Sequence, residues 1–454
     1  MSDRTIFFVV ATKTRINFIL RTDLFRILKE KNFKIVIVSP FWNQKEFIEE
    51  FGGDNVIFES LYDKMTRLYL MLAYWRGQAL KINHPKIKFG IRIHGFITRR
   101  FVKTFSFFKS FKTVLRGIIF LLIPKKFRES QRFWDRLLSF FILDRCANWL
   151  FRKYQPLVLI VASGGAEGRD VPFLLSAQKY SVASVVIDNN IDAPQFRYFS
   201  PPFEATKWAV FGVPGKKELE EFQQIKPSKL TVTGPLRYDY YFKEFKPTPR
   251  EIFFKEIGAD PQKKLITFGA KIPVMYPHNA DIIKIILKGI KDNYFNQPAQ
   301  LFVRFDPRHD PQFYPQFLNE IVYECAEIAS GREHIANLLY HSDVVISIVS
   351  TFCIEACLVG TPAIWIGFDG LVKYESYEES TRFQYDLDCF KRIIDTGAIP
   401  LAENFEELII LIKKYLLDKS LDREKRKKMI EQEYFKTDGR AGERIAKMVI
   451  DFVS

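Results

Sequence analysis

The chain has 454 residues, of which 47% are hydrophobic and 27% charged, and its formal net charge is +15. This balance excludes a disordered chain and a collagen-like or proline-rich one, and the length allows roughly two to four domains. Five scattered cysteines are too few for a disulfide framework and do not have the spacing of a zinc site. We therefore expect reduced thiols and no bound metal.

No segment has the pattern of a targeting signal. The apolar run at residues 6–11 is shorter than the core of a signal peptide. Elsewhere the longest uncharged apolar stretch is 117–124, far short of the roughly 20 residues that span a bilayer. The expected protein is cytoplasmic and does not cross a membrane.

The first part of the chain alternates short apolar strands with helices. Strands are predicted at 5–11, 33–39, 56–58, 156–162, 183–187, 207–211 and 229–233. Helices are predicted at 21–31, 46–51, 171–180 and 215–224. Strands and helices at this spacing predict a doubly wound parallel sheet, which we assign to a Rossmann-like N-terminal domain over residues 1–245.

Within this domain, residues 95–154 carry most of the net charge. The segment has fourteen Lys or Arg and three acidic residues, a net charge of +11, interleaved with twelve Phe and two Trp. After Pro124 a helix is predicted over 125–154. Basic and bulky apolar residues together are typical of a helical insertion that lies on an anionic membrane. The candidate membrane-binding residues are Lys103, Lys109, Lys112, Arg116, Lys125 and Lys126.

Two other interpretations of residues 95–154 are open. The first is a helical pair packed on the core, with its charges simply solvated. The second is a surface for single-stranded nucleic acid, since aromatic side chains beside cations can stack on bases. No signature of a nucleic-acid-binding module occurs in the sequence, so we expect no nucleic-acid partner.

A linker over residues 246–262 leads to a second alternation of strands and helices at 263–435. Its predicted strands are 264–268, 300–304, 344–348 and 363–366. Its predicted helices are 281–292, 314–324, 335–341 and 352–359. Residues 436–454 are predicted to form a C-terminal helix that returns to the first domain. Two such domains are expected to face a cleft, with ligands at the carboxyl ends of the strands.

The most informative stretch is 335–370. A predicted strand ends at the small polar turn Ser350-Thr351, where a helix begins. Ser and Thr are common N-cap residues, and the N–H groups of a first helical turn bind anions. Glu355 follows one turn later on the same face, where its carboxylate can accept two ribose hydroxyls. The pattern predicts a nucleotide site; the alternative is a helix cap followed by a solvated Glu.

Four stretches together resemble a known family. The first is Asp343–Pro362, which contains Ser350-Thr351, Glu355-Ala and Gly360-Thr-Pro. The second is Val232–Asp239, similar to a TG-x-x-R-x-D strand end, and the third is Phe302–Arg308, similar to an Arg-x-His-Pro segment. The fourth is Ile187-Asp-Asn189, similar to a Trp-Asp-Asn segment. The order and spacing of these four stretches, which cover most of residues 156–370, resemble those of GT-B glycosyltransferases. The resemblance extends to the branch of UDP-N-acetylglucosamine 2-epimerase-like and CDP-glycerol glycerophosphotransferase-like proteins of cell-surface polymer synthesis.

The resemblance implies a GT-B fold and a nucleotide-activated sugar as co-substrate, linked to UDP, CDP, GDP or CMP, with no tightly bound cofactor. Such enzymes need no metal when basic side chains and a helix N-terminus stabilise the leaving diphosphate. The donor-binding residues it implies are Gly234, Arg237, Gly269, Lys271, Arg304, Ser350, Thr351 and Glu355. For Arg304 the alternative is a salt bridge that closes the domain.

The sequence departs from the family pattern at several points. Asp306 stands where His is usual, and Asn189-Asn190 stand where the glycerophosphotransferases have a His-Gly pair. The loop at 12–17 lacks a Gly-rich turn. The base that an inverting transferase needs must then come from another strand end. Asp188 is the first candidate, Glu167 and Asp170 follow, and each of these could instead cap a turn.

The leading hypothesis is a glycosyltransferase associated peripherally with the inner face of the plasma membrane. It would transfer a sugar or a polyol phosphate to a lipid-linked or growing oligosaccharide acceptor, as in capsule or lipopolysaccharide synthesis. The alternatives are a soluble nucleotide-sugar epimerase, which needs no membrane surface, and a catalytically silent scaffold that keeps the fold but not the base.

Overall fold

The computed structural model describes residues 4–61, 71–72, 75–76, 79, 119–141, 145–162, 164, 169–188, 190–196, 204–273, 275–306, 310–325, 331–372, 377 and 380–453. They form two units, each built on a parallel β-sheet. Unit 1 comprises the described residues up to Lys243 and those from Gln432 onward. Unit 2 comprises the described residues from Glu244 to Glu431.

Unit 1 has a seven-stranded sheet in the order β3-β2-β1-β4-β5-β6-β7. Its strands are β1 (Thr5–Val9), β2 (Lys34–Ser39), β3 (Val56–Ser60), β4 (Val158–Val161), β5 (Ala183–Ile187), β6 (Lys207–Val210) and β7 (Leu230–Val232). Phe7 and Val9 face one apolar cluster while Ile6 and Phe8 face another. A strand that is buried on both faces has a continuous run of apolar residues in its sequence. This pattern explains why the sequence predicts the strands of unit 1 well.

The helices of unit 1 cover both faces of this sheet. They are α1 (Lys13–Arg15), α2 (Asp23–Glu30), α3 (Lys45–Phe51), α4 (Lys125–Arg128), α5 (Gln131–Phe141), α6 (Arg145–Tyr154), α7 (Val171–Lys179), α8 (Ala193–Phe196), α9 (Val213–Gln223), α10 (Asp239–Lys243) and α18 (Ala441–Val453). A π-helical segment, Ile16–Leu20, lies between α1 and α2. The C-terminal helix α18 packs on α2 and buries Ile445 and Val449.

Unit 2 has a six-stranded parallel sheet in the order β10-β9-β8-β11-β12-β13. Its strands are β8 (Lys264–Gly269), β9 (Ala299–Phe305), β10 (Val322–Cys325), β11 (Val344–Ser347), β12 (Ala363–Ile366) and β13 (Leu401–Ala402). Its helices are α11 (Arg250–Ile257), α12 (Asn279–Lys291), α13 (Arg332–His341), α14 (Thr351–Leu358), α15 (Asp388–Asp395), α16 (Phe405–Leu417) and α17 (Arg423–Glu433), which runs on into unit 1.

Two predicted helices are wrong. Residues 314–324 contain no helix: a 3-10 turn at Pro311–Phe313 precedes them, and β10 begins at Val322. Val322 pairs with Phe302, so hydrogen bonding to β9 overrides the local pattern. The predicted single helix over 125–154 is also interrupted, because α4 ends at Arg128 and α5 begins at Gln131. The break lies at Ser130, whose Oγ accepts the Phe133 N–H (3.3 Å) at the start of α5.

Candidate functional site

In unit 2 the carboxyl edge of the sheet aligns three residues. Gly269 of β8 lies between Arg304 of β9 and Ser347 of β11, and the Ser347 hydroxyl donates to the Gly269 carbonyl (2.7 Å). A Cβ on Gly269 would lie 3.0 Å from the Phe352 ring. Gly269 thus lets the first turn of α14 pack closely over the end of β8.

The turn between β11 and α14 is strained and held from two sides. Val349 has a φ of +40°, unusual for a β-branched residue. Its N–H donates to the Tyr385 hydroxyl (2.8 Å), and Trp365 Nε1 donates to the Ser350 carbonyl (3.2 Å). Burial raises the pKa of Tyr385 well above its ordinary value. Strain of this kind costs about 1–3 kcal/mol and clusters at ligand sites.

Ser350 is the N-cap of α14, as the sequence predicts. Its Oγ accepts the Phe352 N–H (3.2 Å), which orients the first turn. Thr351 and Glu355 are half-buried on this helix. An eight-residue helix with an ordered first turn carries about half a positive charge at that end, so α14 offers an anion-binding terminus with a carboxylate one turn away.

The loop after β8 places Lys271 near α14. The Lys271 N–H donates to Asn279 Oδ1 (3.1 Å), and Asn279 Nδ2 donates back to the Lys271 carbonyl (2.8 Å). Burial raises the pKa of Cys353 on α14 well above its ordinary value, and the Lys271 ammonium opposes that rise. Gly269, Lys271, Ser350, Thr351 and Glu355 therefore belong to one edge of unit 2.

Arg304 also lies at this edge but points to a carboxylate. Its guanidinium forms an ion pair with Glu324 on β10. The other Glu324 oxygen lies 2.7 Å from His334 Nε2, and His334 Nδ1 lies 3.2 Å from Glu256. The salt bridge weighed for Arg304 is present, within unit 2. Sequence analysis missed Glu324, His334, Asn279, Tyr385 and Trp365, whose roles arise only from contacts between distant segments.

Gly234 and Arg237 lie in unit 1, where the segment 233–239 binds the C-terminal part of the chain. Gly234 has a φ of +96°, and a Cβ there would lie 2.7 Å from the Phe435 carbonyl oxygen. The Asp239 carboxylate accepts the N–H groups of Ala441 (3.2 Å) and Gly442 (2.8 Å) at the start of α18. These contacts explain Gly234 and Asp239 by their structural role in binding the C-terminal part of the chain. Arg237 is different, because its guanidinium carbon lies 4.3 Å from the centre of the Phe18 ring.

The candidate bases lie at the carboxyl edge of the unit 1 sheet. Asp188 follows β5 directly and is buried, and its N–H donates to the Ala209 carbonyl (2.9 Å). Asp170 is also buried, immediately before α7, and its side chain does not cap that helix. Glu167 lies outside the described residues. Two of the three candidates thus occupy the edge where a Rossmann-like sheet binds its ligands.

Comparison with known proteins identifies the fold. No family model matches the sequence, and no curated protein matches it significantly. Solved structures do. The UDP-GlcNAc 2-epimerase of Methanocaldococcus jannaschii, in complex with UDP-GlcNAc and UDP, is 12% identical with a TM-score of 0.54, covering 98% of this chain and 99% of the other. The chain has the GT-B fold.

Two other similar structures are named as a glycosyltransferase and a polymerase. A glycosyltransferase from Rickettsia africae is 12% identical with a TM-score of 0.51, covering 99% of both chains. The wall teichoic acid polymerase TagF is 8% identical with a TM-score of 0.52, covering 99% of this chain and 89% of TagF. The GT-B fold suggested by the sequence motifs is confirmed, and identities this low show the fold alone.

The described residues of 119–154, which include α4 to α6, expose both apolar and basic side chains. Leu121 and Leu122 are 67% and 78% exposed, and Lys125 and Lys126 follow them in the sequence on the exposed surface. Further exposed apolar residues nearby in the chain are Ile119, Phe127, Phe140 and Trp149. Lys103, Lys109, Lys112 and Arg116 lie outside the described residues.

The exposed pair Leu121-Leu122 follows a buried aromatic residue. Phe120 is buried with its ring centre 6.1 Å from that of the buried Trp134. Trp134 Nε1 donates to the Arg128 carbonyl (3.0 Å). The residue that precedes the two leucines is therefore packed in the core. No helix among the described residues is long and apolar enough to cross a membrane, nor do those residues contain a cluster of three or more His, Cys, Asp or Glu able to hold a metal ion.

Proposed function

We propose that the protein is a glycosyltransferase that moves a sugar from a nucleotide-activated donor to a lipid-linked or growing cell-surface glycan acceptor at a membrane surface. The bond between the anomeric carbon and the donor phosphate oxygen breaks, and the nucleotide leaves with the bonding electrons. The acceptor hydroxyl oxygen bonds to that carbon and gives its proton to a carboxylate. If the group is a polyol phosphate, the bond broken is the donor phosphoanhydride and a nucleoside monophosphate leaves.

The edge of unit 2 supplies the donor site in this proposal. The N-terminus of α14, capped by Ser350, and the Lys271 ammonium stabilise the charge that develops on the leaving phosphate. Glu355 accepts the ribose hydroxyls. A UDP-, CDP-, GDP- or CMP-linked sugar fits this chemistry without a metal ion, because the cation and the helix terminus neutralise the anion directly.

Unit 1 supplies the base and the acceptor side. Asp188 is our first choice of base, because it follows a central strand directly and its carboxylate is buried. Asp170 and Glu167 are the next candidates.

The observation that carries the transferase proposal is the exposed apolar and basic surface of residues 119–126. Leu121 and Leu122 are exposed and lie close in sequence to the exposed Lys125 and Lys126, a combination that suits the boundary of an anionic lipid layer. An enzyme acting on a lipid-linked acceptor needs such a surface and one acting on a soluble nucleotide sugar does not. The proposed location is therefore the cytoplasmic face of the plasma membrane, with anionic lipid as a partner.

A second candidate function is epimerisation of a nucleotide sugar, favoured by the UDP-GlcNAc 2-epimerases that share the fold. The catalytically silent scaffold remains a third. Turnover of the donor separates enzyme from scaffold. Thermal-shift titration with UDP, CDP, GDP, CMP and their sugar conjugates identifies that donor, because a ligand that binds the folded state raises its melting temperature. Flotation with anionic vesicles separates transferase from epimerase.

The matched variants are Glu355→Ala in the proposed site and Glu406→Ala, in the first turn of α16. We expect one nucleotide to raise the melting temperature, an effect lost in Glu355→Ala and kept in Glu406→Ala. No shift with any nucleotide, in the presence and absence of vesicles, contradicts the proposal. Nucleotide binding without vesicle binding favours the epimerase.

A further inference from the structure

Three arginines from distant parts of unit 1 contact the segment 11–18, which follows β1. Arg15 lies in that segment and is only 4% exposed. Arg237, which follows β7, and Arg15 have their guanidinium carbons 4.3 Å and 5.9 Å from the centre of the Phe18 ring. Arg169, which follows β4, donates from Nη1 to the Ala11 carbonyl (3.0 Å).

The topology makes this meeting a tertiary feature. β7 is at the far edge of the sheet from β1, with three strands between them. The chain after β7 nevertheless returns across the carboxyl edge, where the 3-10 turn Leu236–Tyr238 contacts the π-helix Ile16–Leu20. This return brings the Arg237 guanidinium onto the Phe18 ring.

Burying a guanidinium is costly, because the hydration that it loses must be replaced by hydrogen bonds or by an anion. An arginine stacked on an aromatic face is held by the ring in a defined plane, and its N–H groups project within that plane. This planar fork matches two oxygens of a phosphate group. The geometry around Phe18 thus has the chemistry of an oxyanion site.

The backbone beneath this cluster is itself unusual. Ile16–Leu20 is π-helical, and the Arg21 N–H donates to the Ile16 carbonyl five residues earlier (3.1 Å). Such segments are rare, poorer than an α-helix in energy, and found frequently at functional sites. Here the segment carries Phe18, the ring on which both arginines pack.

We propose that Arg15, Arg169 and Arg237 form a binding site for a phosphate or diphosphate group at the carboxyl edge of the unit 1 sheet. The inference rests on the proposed function, in which that group belongs either to the lipid-linked acceptor or to the nucleotide donor. Asp170 and Asp188 lie at the same edge, so the anion is bound beside the candidate bases.

Isothermal titration of the full chain with inorganic pyrophosphate tests the site. Arg15→Gln, Arg169→Gln and Arg237→Gln should each weaken binding at least tenfold. Arg26→Gln is the matched control, because Arg26 is an exposed arginine of the same unit, paired with Asp23 and Glu30. It should change the affinity less than twofold. Arg237→Lys, which keeps the charge but loses the planar fork, should give an intermediate loss.

The source of the phosphate follows from titrating the same variants with the nucleotide that wild type binds and with geranyl phosphate, a short lipid phosphate. Loss of geranyl phosphate binding alone assigns the site to the acceptor, and parallel loss of nucleotide binding assigns it to the donor. The inference is overturned if wild type does not bind pyrophosphate. It is also overturned if all the folded arginine variants bind pyrophosphate with the affinity of wild type. Nucleotide binding by wild type tests the proposed function separately.

Discussion

The exposed pair Leu121-Leu122 gives the sharpest prediction about membrane binding. Burying a leucine side chain completely contributes about 1.5–3 kcal/mol. Both leucines are more than two-thirds exposed, so most of that free energy is still available to a lipid surface. Insertion of the pair should contribute about 3 kcal/mol, which corresponds to roughly a hundredfold in the partition coefficient.

The perturbation is the double variant Leu121→Ser with Leu122→Ser. We expect its partitioning onto vesicles of phosphatidylglycerol and phosphatidylcholine, measured by flotation over a range of lipid concentrations, to fall about a hundredfold. Its melting temperature should change little, because exposed side chains contribute little to folding stability. The control is Ile410→Ser with Leu417→Ser on α16, which are exposed to a similar degree, 63% and 64%.

The charge contribution is tested separately. Lys125→Gln with Lys126→Gln should weaken binding to anionic vesicles about thirtyfold, since each basic residue near an anionic surface contributes about 1 kcal/mol. Binding to pure phosphatidylcholine vesicles should not change. If the folded double-serine variant partitions like wild type, or if the control falls equally, the proposed membrane surface is refuted.

Three further predictions concern the two sheets. Ser350→Ala should lower the free energy of unfolding by about 1 kcal/mol and also weaken nucleotide binding. Asn404→Ala, which removes the N-cap of α16, should lower the free energy of unfolding but leave nucleotide binding unchanged. Chemical unfolding measures the first effect and thermal shift with nucleotide the second. Gly269→Ala should displace the Phe352 ring and reduce nucleotide affinity, checked by titration. Burial raises the pKa of Asp239 to about 6, above its unfolded value, so its stabilising effect is complete below about pH 4 and is lost as the pH rises through 6. Between those two pH values, the free energy of unfolding of wild type, measured by urea titration, should fall by up to about 3 kcal/mol more than that of Asp239→Asn. An equal fall in both proteins would contradict this assignment.

The sequence predicts the sheets well because burial on both faces leaves a local signal. Strands predicted at 183–187 and 363–366 coincide with β5 and β12. The cap at Ser350 is equally local, since it depends on one side chain and an N–H two residues later. The basic and aromatic composition of 95–154 is visible in the sequence, but the exposure of Leu121 and Leu122 is not.

Contacts between distant segments decided the rest. The predicted helix at 314–324 failed because β10 pairs with β9, and Arg304 meets Glu324 through that same pairing. Asp239 caps a helix 202 residues later, and Arg237 reaches Phe18 only because the chain returns across the sheet edge. Periodicity and capping are short-range properties that a sequence displays directly. Which cation meets which carboxylate or ring depends on the order of strands in the sheet, and only the tertiary structure determines that order.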